Sequence, residues 1–149
     1  MTVTAYDLAQ RFVGFKETPG AASNPAVLAM LKLDGEWPKD DSVPWCSAFT
    51  NYVAWLLRLP RSKSLAARSW LTVGTPIGLL DAKPGFDVVI LQRGDGVQPS
   101  ADVLAAPGHV GWFAGLEGDQ VLVLGGNQGD AVSIARFPKT RVLGVRRLA

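Results

Sequence analysis

Along the first third of the chain the apolar positions recur with the spacing of one helix face, and in the last third they come in short β-branched runs. Ala5, Leu8, Ala9, Phe12 and Val13 predict a helix over residues 4–15, with Thr4 as its cap. Lys16-Glu17-Thr18-Pro19-Gly20 ends it, and Asn24-Pro25 supplies the cap and first residue of a second helix over 26–33. A polar loop over 34–42 follows. The stretch 43–57 is apolar around most of a helical circumference, with Ser47, Asn51 and Arg58 on one narrow stripe. Such a helix belongs in the middle of a domain. Ser42 is placed to cap it, Pro44 is tolerated only near its start, and Cys46 falls in its first turn.

Residues 60–85 read as irregular apart from a helical turn around 67–71. Strands are predicted at 87–92, 109–114, 120–124, 131–137 and 142–147, with a long polar loop over 93–108 and a hairpin turn at Glu117-Gly118-Asp119. Helices first and strands afterwards define an α+β fold, in which the Cys46 helix packs on a C-terminal antiparallel sheet of about five strands. Neither a repeat nor a linker divides the chain, so residues 1–149 are expected to form one domain.

Composition narrows the function classes. With 48% apolar and 19% charged residues the chain reads as ordered and globular, and a net charge of +2 gives no footprint for nucleic acid. No run approaches the about 18 apolar residues of a membrane span. Met-Thr-Val-Thr-Ala-Tyr-Asp lacks the basic-then-apolar pattern of a signal peptide. The expectation is a monomer made in the cytoplasm, without stable membrane insertion. One cysteine excludes an internal disulfide, and one histidine excludes a paired-histidine metal motif. No metal or other cofactor is expected, and Asp40 and Asp41 read as a solvated pair beside the helix cap.

What remains is a Cys/His machine with one candidate for each part. At a helix N-terminus Cys46 meets free N–H groups and the positive end of the dipole, which favour a thiolate and a developing oxyanion. A neighbouring imidazolium would complete the ion pair of a cysteine hydrolase. By itself a lone cysteine is more often a small buried hydrophobe. His109 opens a strand in Gly108-His109-Val110-Gly111, where one ring nitrogen can face the thiol and the other an orienting acceptor. That acceptor is sought on the next strand, in Gly125-Gly126-Asn127-Gln128. A two- or four-residue hairpin loop sets Gln128 opposite His109 and a three-residue loop sets Asn127 there, so spacing leaves both open.

The block Val43-Pro44-Trp45-Cys46-Ser47-Ala48-Phe49 resembles the nucleophile motif of CHAP domains, papain-like relatives of the NlpC-type cysteine peptidases. Gly108-His109-Val110-Gly111 is similar to their histidine motif, and Gly125-Gly126-Asn127-Gln128 to their third-residue segment. Gly14 to Gly20 with Asn24-Pro25, Ala67-Arg68-Ser69-Trp70 and Pro84-Gly85 with Asp87-Val88 extend the likeness to a single-domain subgroup found in bacteriophages and prophages. The resemblance implies a peptidoglycan amidase or endopeptidase acting through an acyl-enzyme. Cys46 is then the nucleophile, His109 the base and Asn127 the preferred third residue, with Trp45, Trp70 and Gln128 touching substrate. It implies peptidoglycan as partner and a phage-type lysin acting on the wall after release or export. An interbacterial toxin with a cognate immunity protein uses the same chemistry, and a non-catalytic wall-binding module keeps only the fold. Trp112 is a further groove candidate beside core packing. The Arg141, Arg146 and Arg147 group reads as a solvated strand face before it reads as a site for anionic wall polymer.

Overall fold

The computed structural model describes residues 2–16, 24–33 and 45–149. Helix α1 spans Ala5–Gln10, α2 Pro25–Lys32 and α3 Cys46–Leu56; the six strands are β1 Thr75–Ile77, β2 Asp87–Gln92, β3 Gly108–Glu117, β4 Gln120–Gln128, β5 Ala131–Pro138 and β6 Val142–Arg147. They form one antiparallel sheet in the order β1-β6-β2-β3-β4-β5. The expected α+β architecture is present, with one strand more than the sequence pattern suggested. That extra strand, Thr75-Pro76-Ile77, is too short to show alternation and is held by pairing with β6.

Local chemistry sets the helix starts. Thr4 and Asp7 form a capping box, with Asp7 N–H donating to Thr4 Oγ1 and Thr4 N–H to Asp7 Oδ2. Asn24 accepts from the N–H of Ala26 at 2.8 Å, and Pro25 occupies the first helical position. Helix α3 begins at Cys46, with Trp45 as its cap residue, later than the pattern over 43–57 implied. Ser42, Pro44, Asp40 and Asp41 lie outside the described residues.

The sheet buries both faces, and β2 shows why its sequence is an unbroken apolar run. Val88 and Ile90 join Val110, Trp112 and Leu124 beneath the helices, in a cluster with Cys46, Phe49 and Val53. Val89 and Leu91 point the other way, into a second cluster with Phe113, Val121, Val123 and Val145. A strand buried on both sides reads as continuous rather than alternating. Of the polar stripe, Ser47 and Asn51 are buried in α3, whereas Arg58 lies beyond the helix end and is exposed. Asn51 donates to Ser62 Oγ and Ser64 O and accepts from Lys63 N–H, while Ser47 Oγ donates to Ser64 O. These bonds dock the loop after α3 on the helix, so Ser47 and Asn51 face protein rather than solvent.

The free edge of β5 is partly covered by the chain after α1: Gly14 N–H donates to Val132 O, and Val132 N–H to Phe15 O. Among the described residues no helix is long and apolar enough to cross a membrane.

Candidate active site

Cys46 is the first residue of α3 and is only 2% exposed. The backbone N–H groups of Val110, of Ser47 and of Cys46 itself favour its thiolate. The helix start thus supplies the donors expected from its position, and Val110 adds one from β3 beside His109. Burial outweighs them and holds the thiol above its ordinary pKa.

His109 is 8% exposed and lies near the start of β3. By strand alternation it shares a face with Phe113, and its ring packs against Phe137 with centroids 5.2 Å apart. Val110 and Trp112 face α3. Between β3 and β4 the register shifts at Ala114, and the ladder ends at Trp112 with Leu124. The paired register therefore stops short of His109, although Gly111 still packs against Leu124 O and Gly125. The His109 ring lies on the face of the sheet away from α3 and Cys46.

Gly125 and Gly126 continue β4 along this stretch of β3. A Cβ on Gly126 would lie 2.8 Å from Trp45 and Phe49 atoms, and one on Gly125 would lie 2.6 Å from Gln128 Oε1 and 3.4 Å from His109 Nε2. The strand passes between the Cys46 helix on one side and the histidine on the other. Only glycines fit both contacts.

Gln128, not Asn127, reaches the imidazole. His109 Nε2 and Gln128 Oε1 are 2.8 Å apart. The Gln128 amide nitrogen donates to Val123 O at 3.1 Å and Ser133 O at 2.7 Å, so the oxygen is the end turned to the ring. An amide oxygen only accepts, which places the imidazole proton on Nε2 and leaves Nδ1 as the basic nitrogen. Asn127 sits at φ 58° where the β4–β5 register shifts between Gly125 and Gln128, and its side chain belongs to the cleft wall. Burial lowers the His109 pKa, the Gln128 hydrogen bond raises it and the charge of Arg93 lowers it, with a net downward shift. Thiol and imidazole are thus both held neutral at rest, in place of the ion pair expected from the helix position alone.

A cleft of about 600 Å³ opens over His109. Asn127, Gln128, Phe137, Arg93 and Arg141 are among its lining residues; Cys46 is not. Trp45, Trp70 and Trp112 are all fully buried, so these side chains pack the core instead of lining a groove. Trp70 Nε1 donates to Ser47 Oγ at 3.0 Å, which ties the short 3-10 helix over Ala67–Thr72 to α3. Each C-terminal arginine has a fixed partner. Arg147 makes two 2.8 Å bonds to the Asp87 carboxylate, Arg146 donates to Leu71 O, and Arg141 to Gly94 O. No group of three His, Cys, Asp or Glu placed to hold a metal occurs among the described residues.

Two residues near the site had no role assigned to them from the sequence. Arg68, fully buried, donates to Pro99 O, Ser100 O and Pro107 O and so anchors the loop that leads into β3. Arg93, just beyond β2, projects into the cleft from what read as a polar loop.

No protein-family model matches the chain, and no curated protein matches its sequence. Among solved structures it is similar to NlpC1 from Trichomonas vaginalis, with a TM-score of 0.58 and 20% identity over 97% of this chain. The chain spans 42% of that protein's length. The fold is NlpC-like.

Proposed function

We propose that this chain is a cysteine hydrolase that cuts an amide or peptide bond of peptidoglycan. The observation that carries the reading is the orientation of His109. Gln128 holds Nε2–H and leaves Nδ1 free on the ring next to Val110, whose N–H favours the Cys46 thiolate. In this mechanism Nδ1 takes the Cys46 proton as the sulfur attacks the substrate carbonyl, a step for which β4 at Gly125-Gly126 must move aside so that the two groups meet. The N–H groups at the start of α3 stabilise the oxyanion. The C–N bond breaks, the Nδ1 proton passes to the leaving amine, and a thioester remains on Cys46. Water then gives a proton to Nδ1 and its oxygen to the acyl carbon, releasing the acid and restoring the thiol. Gln128 thereby takes the orienting role that the resemblance assigned to Asn127.

Two neutral partners suit this proton relay, because the thiol gives up its proton only as the base receives it. The NlpC-like fold and the motif blocks around Cys46 and His109 support the wall as substrate. The phage-type lysin is the setting we favour, since the resemblance runs through most of the chain; a toxin would differ in having a cognate immunity protein. Gel zymography on purified walls tests the activity. Clearing by the wild type, lost in both Cys46→Ser and His109→Ala, is expected; clearing that survives in either variant rejects the mechanism. Mass spectrometry of the released muropeptides then names the bond.

A further inference from the structure

Arg93 is the exposed first residue after β2, on the wall of the His109 cleft. It forms no hydrogen bond or ion pair with another described residue. The backbone on either side of it is held: Arg141 donates to Gln92 O at 3.4 Å and to Gly94 O at 3.0 Å through both terminal nitrogens. One arginine thus spends its donors fixing the turn from which the other emerges. The charge of Arg93 reaches the Cys46 thiol and the His109 ring, favouring the anion at the first and disfavouring the cation at the second. Asp95 is the acidic residue of the same wall, so two guanidiniums face one carboxylate; Ala135, Phe137 and Pro138 make the cleft apolar on another side.

We propose that Arg93 is a specificity-determining residue that binds a carboxylate of the substrate close to the bond that is cut. A guanidinium offers two parallel N–H donors that match a carboxylate, and an anchored backbone limits what is lost in ordering it. Peptide stems of the wall carry carboxyl groups that occur free or amidated, and the cleft is built to tell these apart. The apolar wall beside it suits the short side chains of such stems. This assignment rests on the peptidoglycan reading and names which chemical form of that substrate is taken.

The test is a binding measurement on the full chain carrying Cys46→Ser, by titration calorimetry, with muropeptides whose stem carboxyls are free and with the same muropeptides amidated. The free form is expected to bind about tenfold more tightly, the scale of a charge-assisted hydrogen bond in a partly solvated site. Arg93→Met in the same background removes the difference, and Arg93→Lys keeps part of it. A melting curve shows that each variant folds. Equal affinity for the two forms, or a preference that survives Arg93→Met, overturns the assignment while wall clearing by the wild type leaves the hydrolase reading intact. A wild type that clears no wall and a Cys46→Ser protein that binds neither form overturn both.

Discussion

The 2.8 Å contact between His109 Nε2 and Gln128 Oε1 is directional because the other end of the glutamine is already committed to Val123 O and Ser133 O. A flipped amide would turn its NH₂ toward the ring and its oxygen toward two carbonyls, losing bonds at both ends. Gln128→Ala is therefore expected to lower kcat by about a hundredfold, the low end of what acid–base catalysis contributes, with a much smaller change in KM. Asn127→Ala, at the cleft wall, is expected to stay within a few-fold of wild type. Steady-state hydrolysis of a soluble muropeptide measures both, and the reverse ranking would return the orienting role to Asn127.

The glycine pair between helix and histidine separates activity from stability. In Gly125→Ala the new methyl meets the Gln128 amide, the far end of a side chain, at 2.6 Å and must push it off the imidazole. In Gly126→Ala it meets Trp45 and Phe49, which are fully buried and have no room to give. Gly125→Ala should lose most activity with little change in Tm. Gly126→Ala should lose about 1–3 kcal/mol of stability, the usual cost of overpacking. Urea unfolding alongside the muropeptide assay distinguishes the two, and equal behaviour of the pair would mean that the strand does not run between the two sides.

Burial moves the two candidate catalytic groups in opposite directions, and stability should record it. His109 is held below its ordinary 6.5, so near and below that value the unfolded chain binds more protons than the folded one. Stability from keeping this ring neutral is present above pH 6.5 and is lost as pH falls toward the folded value. Cys46 is held above its ordinary 9.0, so above that pH the unfolded thiol ionises first and stability falls as pH rises. Denaturant midpoints should form a plateau between these limits. His109→Gln should flatten the acid limb and Cys46→Ala the alkaline one. Limbs unchanged by either substitution would show that other groups govern the profile.

Much of this fold was legible because the signals were local or periodic. Thr4, Asn24-Pro25 and the β2 run each declare their element within a few residues. The α+β order and the locations of Cys46 on a helix start and His109 on a strand followed from the same patterns. What sequence spacing left open was register. The two-residue turn at Gly118-Asp119 sets Gln128 in line with His109, but the shift at Ala114 displaces that alignment by one residue, toward Asn127. The left-handed backbone of Asn127 and the second shift before Gln128 then decide which amide reaches the ring. Neither shift has a composition of its own. The tryptophans misled for another reason: an indole suits a sugar-binding groove and a core equally, and only burial separates them. Arg93 and Arg141 lie 48 positions apart, and no local pattern announces that one would clamp the turn carrying the other.

Arg68 offers the last test, because it is a fully buried cation whose described partners are all carbonyl oxygens. Nε donates to Pro107 O at 3.0 Å, and one terminal nitrogen to Pro99 O at 3.1 Å and Ser100 O at 2.8 Å; the other has no partner among the described residues. Its Cγ also packs where a side chain on Gly108 would go, at 2.9 Å. The guanidinium thus ties the 99–107 segment to the core immediately before β3 delivers His109. Removing it leaves carbonyls without donors and a hole beneath the strand start, for which about 2–4 kcal/mol is expected in Arg68→Ala. Arg68→Met fills the hole without restoring the bonds. It should recover part of the stability, while activity stays low because the strand entry is no longer fixed. Chemical denaturation gives the first quantity and muropeptide hydrolysis the second. Full activity in Arg68→Met would show that packing at Gly108, rather than the tie to the loop, positions the histidine.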